Sequence, residues 1–248
     1  MMNRELYEAI FHRKSVRRYE PAELPESTIE EIIRFAGEAK PLDADINYEF
    51  LCIKPNHVRN LAPVRAPHYL CLYSEKKTGY LMNAGFLLQQ LDLYLSSREF
   101  GSCWLGMGRP VRINPPDGME YVIMLAFGKP AEPVHRSDLS EFKRNNISEI
   151  SGAPEVNVLL EPVRLAPSAS NSQPWLFSGS AGEITVCRRK FNPIKAAVYG
   201  GFNQIDIGIA LCHLWLSALH LGKKISFVFG KESAPRGAEY MAKVRIES

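Results

Sequence analysis

A chain of 248 residues with 46% hydrophobic and 23% charged side chains has the composition of a globular protein, and it is long enough for one domain or for two fused halves. Its formal net charge of +3 is too small to indicate a nucleic-acid-binding protein. The five cysteines form neither a CxxC pair nor a zinc-ligand spacing, so we predict reduced thiols, mostly in the core, and a cytoplasmic location.

The first half of the chain is predicted to alternate helices and strands. The spacing of apolar residues indicates helices over 1–12 and 26–40, and strand-like runs follow at 49–53 and 68–73. A long apolar helix over 80–100 is predicted to end at Gly101, and a buried strand follows over 121–127.

The second half begins after a polar link over 130–152. We predict a helix that ends near Val163, a loop, a strand over 183–187, an apolar helix over 205–221 and a strand over 225–229. The apolar helix is nearly long enough to cross a bilayer, but it carries Asp206, His213 and His220, so we predict a buried helix and no membrane association. The two histidines lack further ligands and are interpreted as packed side chains rather than a metal site.

The order of elements in the first half therefore recurs in the second. The stretch AKPLDADINYEF aligns without a gap on APSASNSQPWLF, and Leu93–Ser96 aligns on Leu214–Ser217. The alternative is a chance resemblance between two α/β halves. If the halves are copies, their apolar helices would pack together, because each is too hydrophobic to face water alone.

Two segments carry the residues suited to chemistry. The first, RKSVRRY, places four cations and a hydroxyl within six residues, which suits a phosphate and a second anionic group. In an extended segment Arg13, Ser15 and Arg17 would lie on the same side. The alternative is a solvated basic turn.

The second segment, APSASNSQPW, is a loop of small residues stiffened by two prolines, which a planar ligand can approach closely. Asn171 and Gln173 offer donors and acceptors for the edge of a ring that has both. The alternative is a rigid turn between helix and strand, with Trp175 in the core.

Together the two segments resemble the motifs of the nitroreductase family of FMN flavoproteins, and EFGSCWLGMGRP over 99–110 is similar to a third family segment that lies near the flavin. The resemblance implies an α+β nitroreductase-like fold, bound FMN and NAD(P)H as a transient electron donor. It further implies a small-molecule acceptor such as a nitroaromatic or a quinone. Because the flavin carries the hydride chemistry, no catalytic protein residue and no metal are expected.

The family pattern also implies which residues bind the flavin. Arg13 and Ser15 would hold the phosphate and the ribityl chain, with Lys14 nearby, and Arg17 would point to the N1 and C2 carbonyl edge of the ring. Arg136 is a candidate extra phosphate ligand. The backbone of Leu105 and Gly106 would lie near N5 of the ring. The other candidates would line the ring: Pro167, Ser168, Ala169, Asn171 and Gln173.

One departure from the family pattern bears on how many sites exist. Family members are homodimers in which each FMN lies between the basic segment of one subunit and the loop of the other. In the first-half loop, Ala44 and Asp45 occupy the positions that align with Asn171 and Ser172, so this loop lacks the family motif. In the second half, SEFKRNN over 140–146 aligns with the basic segment but lacks the Arg-x-Ser pattern. We therefore predict a fused, monomeric pseudo-dimer with halves over 1–138 and 139–248 and one surviving site. The alternatives are an FMN-binding protein with little turnover, used for sensing or storage, and a flavin-destroying or dehalogenating relative.

Overall fold

The computed structural model describes residues 2–190 and 193–247, with side chains described over 2–190 and 200–247. The first half contains the helices α1 (Met2–Ala9), α2 (Glu26–Glu38) and α3 (Tyr80–Ser97). Its main strands are β1 (Tyr48–Ile53), β3 (His68–Ser74), β4 (Gly101–Leu105) and β6 (Glu120–Gly128), and the short strands β2 (Val58–Asn60) and β5 (Gly108–Pro110) pair with each other.

The second half contains the helices α4 (Ile147–Ile150), α5 (Asn157–Arg164) and α6 (Pro193–His220). Its strands are β7 (Trp175–Ser180), β8 (Glu183–Arg189), β9 (Lys224–Val228) and β10 (Ala238–Glu247). The sequence prediction missed α4, β7 and β10 in this half and β2, β4 and β5 in the first half, and α6 begins at Pro193 rather than at Ile205. The alternation of β10 is interrupted by an irregularity between Tyr240 and Ala242, which removes the two-residue period that marks a strand.

Each half forms a four-stranded antiparallel sheet, and the two sheets have the same strand order. The spatial order is β1-β3-β6-β4 in the first sheet and β7-β8-β10-β9 in the second. When the four strands of each sheet are numbered along the chain, both spatial orders are first, second, fourth, third. In both halves the long helix connects the second strand to the third. The inner faces of both sheets and both long helices belong to one continuous hydrophobic core.

The helices α3 and α6 pack directly against each other through two glycines. A Cβ atom at Gly85 would overlap the carbonyl of Ile205, and one at Gly208 would overlap the carbonyl of Met82. Each glycine thus meets the residue three positions before the other glycine, a reciprocal contact of the kind found at a two-fold interface. Most of the apolar stretch Gly200–His220 is buried in this packing, as predicted for a core helix.

The two long helices end in the same way, and this corrects the predicted alignment. Glu99 has φ 61° and Gly222 has φ 69°, and the next residue in each case, Phe100 or Lys223, donates its N–H to a carbonyl five residues back. Glu99 therefore corresponds to Gly222, and Gly101 begins β4 instead of ending α3. The predicted pairing of Leu93 with Leu214 was wrong by two residues. It aligned Gly101 with Gly222, whereas the residue that shares the left-handed conformation of Gly222 is Glu99.

Candidate functional site

A cleft with two connected parts lies between the basic segment and the loop. The basic part has a volume of about 920 Å³ and the apolar part about 460 Å³, and the two share Ser15, Arg17, Pro167, Ser168 and Ser170. The basic part is also lined by Arg13, Lys14, Arg18, Glu132, Arg136, Glu141, Lys143, Arg144 and Asn171. The apolar part is also lined by Ala62, Cys103, Trp104, Leu105, Gly106, Met107, Ile123, Ala169, Phe202, Ile205, Asp206 and Ile209.

The basic segment runs beside the first sheet and is anchored there. Val16 is fully buried, its N–H donates to the carbonyl of Ser102, and Ser15 bridges to the same residue. Arg13 is also buried and forms an ion pair with buried Asp92, with 3.1 Å between Nε and Oδ2. Its Nη2 lies 3.3 Å from the Ser15 hydroxyl oxygen. Arg13 therefore forms the base of the cleft, with its charge largely balanced by Asp92.

Two further arginines bring positive charge to the basic part. Arg136 donates to the carbonyl of Arg13 and lies over the Phe142 ring at 4.1 Å, and Arg144 lies 5.7 Å from the same ring. Burial, followed by repulsion from Arg13, lowers the pKa of Arg136 to about 10, and the same two causes lower the pKa of Arg144 to about 10. Cations that repel one another around a cleft favour an anionic ligand between them.

The outer end of the basic segment is fixed by an acid. Glu132 Oε1 accepts the backbone N–H groups of Arg17 and Arg18 at 2.6 and 3.1 Å, and these hydrogen bonds lower the pKa of the Glu132 carboxyl. Because the carboxylate binds the backbone of both residues, the segment keeps a defined path while the Arg17 side chain remains exposed at the junction of the two parts.

The loop opposite has an unusual backbone. Ser170, Asn171 and Gln173 have φ values of 52°, 55° and 47°, a left-handed conformation that residues other than glycine adopt at some cost. The conformation is held by two hydrogen bonds: within the loop Gln173 N–H donates to the Ser168 hydroxyl, and Asp206 Oδ1 on α6 accepts the Ala169 N–H at 2.9 Å. Several such residues in one loop beside a cleft indicate a segment shaped for a ligand.

The amide side chains of the loop bind protein rather than pointing into the apolar part. Asn171 accepts from Arg144 Nη1 at 2.6 Å and donates to the carbonyl of Lys143. Gln173 is buried, accepts the Asn145 N–H at 2.8 Å and lines neither part of the cleft. The segment Lys143–Asn145 is thereby attached to the loop and brings Lys143, in addition to Arg144, to the basic part.

Eleven of the twelve predicted site residues line this cleft, and Gln173 lies behind the loop. Lys143, Arg144 and Asp206 also line the cleft but were not predicted from the sequence. Lys143 and Arg144 stand in SEFKRNN, a segment interpreted only as a degenerate copy of the basic segment, although its two adjacent cations were a usable signal. Asp206 was noted only as a charge in an apolar helix. Because an acid is rarely buried without a partner, its isolated position in that helix was the signal for a site residue.

The predicted packed histidines lie away from the cleft. His213 is fully buried, with Nδ1 2.8 Å from the carbonyl of Pro162 and Nε2 3.1 Å from the Gln89 amide nitrogen. His220 stacks on Tyr7 at 3.9 Å. Both histidines therefore join helices, and among the residues that the structure describes no cluster of three or more metal-ligating side chains occurs.

The chain matches the sequence family described as "Putative TM nitroreductase" over residues 5–218, so it belongs to this nitroreductase family. Its structure is similar to that of a protein from Thermotoga maritima described as a putative nitroreductase, with a TM-score of 0.65, 24% identity, and coverage of 97% of this chain and 93% of that one. The predicted α+β nitroreductase-like fold is therefore confirmed.

Two other solved structures are less similar. A nitroreductase family protein from Clostridium difficile 630 matches with a TM-score of 0.47 and 17% identity, over 58% of this chain and 94% of that one. An FMN-dependent nitroreductase from Clostridium difficile R20291 matches with a TM-score of 0.43 and 16% identity, over 54% and 93%. No curated protein sequence matches the chain.

Proposed function

We propose that this protein binds one FMN in the cleft and transfers electrons from NAD(P)H to small oxidised organic acceptors such as nitroaromatics or quinones. The observation that carries the proposal is that a strongly basic cavity opens directly into an apolar one, with Ser15 and Arg17 at the junction. A phosphate on a polar chain attached to a planar ring requires this combination of environments, in this order.

The basic part suits the phosphate. Lys14, Arg136 and Arg144 line it, and arginine provides planar paired donors that match phosphate oxygens. A dianion would offset the repulsion that lowers the pKa values of Arg136 and Arg144. Arg13 contributes by holding Ser15 in position from beneath, because its own guanidinium is committed to Asp92.

The apolar part suits the ring. Leu105 and Gly106 line one wall and the loop from Pro167 to Ala169 another, while Phe202 and Ile209 of α6 complete the slot. The flavin, when bound, supplies the hydride chemistry, so the residues around it need only bind, orient and exclude water. Arg17 at the junction is placed to stabilise negative charge at the nearby edge of the ring.

We further propose that the chain is a fused pseudo-dimer, with halves over 1–138 and 139–248, that acts as a monomer in the cytoplasm. The matching strand orders and the reciprocal contacts of Gly85 and Gly208 support this proposal. The basic segment belongs to the first half and the loop to the second, so the one cleft needs both. The five free cysteines are compatible with a reducing compartment.

The purified protein tests the proposal through its visible spectrum. We expect the yellow colour of bound flavin, or its appearance after addition of FMN, and anaerobic bleaching by NADH or NADPH at turnover rates. A colourless protein that does not bind added FMN would refute the proposal. Bound FMN that neither nucleotide reduces would instead indicate a binding protein without reductase activity.

A further inference from the structure

The apolar part of the cleft contains one carboxyl group that the proposed mechanism does not use. Asp206 on α6 is 3% exposed, yet it lines the cavity between its neighbours Ile205 and Ile209. Burial of an acid without a cation is costly, because the charged form loses its hydration. A carboxyl kept in such a position requires an explanation.

The partners of Asp206 are neutral hydrogen-bond donors. Its Oδ1 accepts the Ala169 N–H at 2.9 Å, and its Oδ2 lies 3.5 Å from the Ser172 hydroxyl oxygen. Within the part of the chain that the structure describes, no cation forms an ion pair with it.

Among the side chains that the structure describes, few ionisable groups surround Asp206. The loop over 165–173 carries none, and neither does α3 from Leu81 to Leu91. Arg17 and Cys103 line the same cavity, and Arg188 of β8 donates to the carbonyl of Gly200 on α6. Burial therefore dominates, and it raises the pKa of Asp206 to about 7.

The first half provides an internal comparison for this residue. Asn83 on α3 stands two residues before Gly85, as Asp206 stands two residues before Gly208. Asn83 Oδ1 accepts the N–H of Leu42 at 2.8 Å, at the loop that corresponds to the loop of Ala169. A neutral amide thus makes the same loop contact outside this cleft, since Asn83 lines neither part of it.

The hydrogen bond to the loop therefore does not account for the carboxyl at Asp206. We propose that Asp206 is a proton-binding residue of the cleft, which takes up a proton when a planar ligand fills the apolar part. This inference rests on the proposed FMN site and adds a regulation by pH to it.

The direction of the effect follows from solvation. A ring in the apolar part would displace the water that solvates the carboxylate from the cavity side, and this displacement disfavours the charged form further. Binding is then coupled to uptake of one proton at the Asp206 carboxyl. We expect the affinity for FMN to be highest below the pKa of the free protein and to fall as the pH rises above it.

The test is the dissociation constant of FMN as a function of pH, measured by flavin fluorescence for the full chain and for Asp206→Asn. The phosphate of FMN titrates in the same range, so the ratio of the two constants is the informative quantity. We expect wild-type binding to weaken relative to Asp206→Asn by roughly tenfold between about pH 6 and about pH 8.5. The matched control is Asn83→Asp, which introduces the same carboxyl away from the cleft and should leave the wild-type pH profile unchanged.

Infrared difference spectroscopy provides a second readout that does not depend on the variant folding well. FMN binding to the wild type at about pH 8 should produce a new protonated-carboxyl C=O band. Parallel pH profiles for the wild type and Asp206→Asn, or the absence of that band, would overturn the role of Asp206 while leaving the FMN site intact. Failure of both proteins to bind FMN at any pH would instead overturn the proposed function.

Discussion

The loops over 39–47 and 165–173 leave corresponding helices and enter the first strands of corresponding sheets, yet the second lines the basic and apolar cleft and the first does not. The first loop is closed onto α3: Asn83 accepts two of its N–H groups, and the Gln90 amide binds both the N–H and the carbonyl of Lys40. The second has left-handed residues at its tip and binds the cation-bearing segment Lys143–Asn145 instead.

The difference shows which parts of the arrangement belong to the scaffold. A polar side chain two residues before the crossing glycine holds the loop in both halves, so this contact is structural. The left-handed backbone and the contact with the segment Lys143–Asn145 occur at the second loop and not at the first, so these features distinguish the loop that lines the cleft.

The crossing of α3 and α6 should tolerate no side chain at its centre. Gly208→Ala would drive a methyl group into the carbonyl of Met82, and we expect it to lower the free energy of unfolding by about 3 kcal/mol or more. Gly201→Ala on the same helix is the control, because its methyl group meets only ordinary contacts, and a gain of up to about 1 kcal/mol is expected. Equal effects in urea denaturation would contradict the close crossing.

Asp206→Asn should stabilise the ligand-free protein at neutral and higher pH. Because the folded-state pKa of about 7 lies above the ordinary 3.8, the stability tied to this group is present at low pH and is lost as the pH rises from about 4 to 7. We expect a gain of at most roughly 4 kcal/mol at about pH 8, shrinking towards zero near pH 4. Urea denaturation measures it, with the exposed Asp45→Asn as control; a pH-independent difference would contradict the raised pKa.

Loss of the cations at the cleft should weaken FMN binding. The double variant Lys14→Ala/Arg17→Ala removes two side chains that line the basic part, and we expect roughly 100-fold weaker binding, since hydrogen bonds to charged groups contribute about 1.5–3 kcal/mol each. Arg4→Ala/Lys76→Ala removes the same net charge from exposed positions outside the cleft. Similar dissociation constants for the two double variants would show that only net charge matters.

The helix ends should give the smallest effect. Glu99 and Gly222 share a left-handed conformation, which glycine adopts without the steric cost of a Cβ atom. Glu99→Gly should raise the free energy of unfolding by about 0.5–1 kcal/mol, and Gly222→Ala should lower it by about the same amount. Thermal denaturation distinguishes the two, and a loss of stability in Glu99→Gly would show that the two helix ends are not equivalent.

Much of the fold could be predicted from the sequence, because long apolar periods dominate it. The helix α3 and the strands β3 and β6 are buried over most of their length, and their apolar runs are unambiguous. The strand β7 was missed because only its first residues, Trp175 to Phe177, are substantially buried, while SGS continues it through backbone pairing alone. The left-handed end of α3 at Glu99 could not be predicted, since glutamate carries no preference for that conformation.

The candidate site was predictable where a motif lies within one segment and less so where the fold joins distant segments. Arg13 to Arg17 and Pro167 to Asn171 were recognised as two contiguous strings of residues. The contact between Arg144 and Asn171, the neutralisation of Arg13 by Asp92 and the burial of Asp206 all depend on partners far apart in sequence. No local pattern encodes such contacts, so only the structure could show them.

The proposed function requires that one cleft, built from both halves, binds one FMN. Equilibrium titration of the flavin-free full chain with FMN, followed by fluorescence at protein concentrations well above the dissociation constant, tests it most directly. We expect a sharp end point at one FMN per chain, which is lost in Lys14→Ala/Arg17→Ala. An end point at two FMN per chain, or no saturable binding, would contradict it.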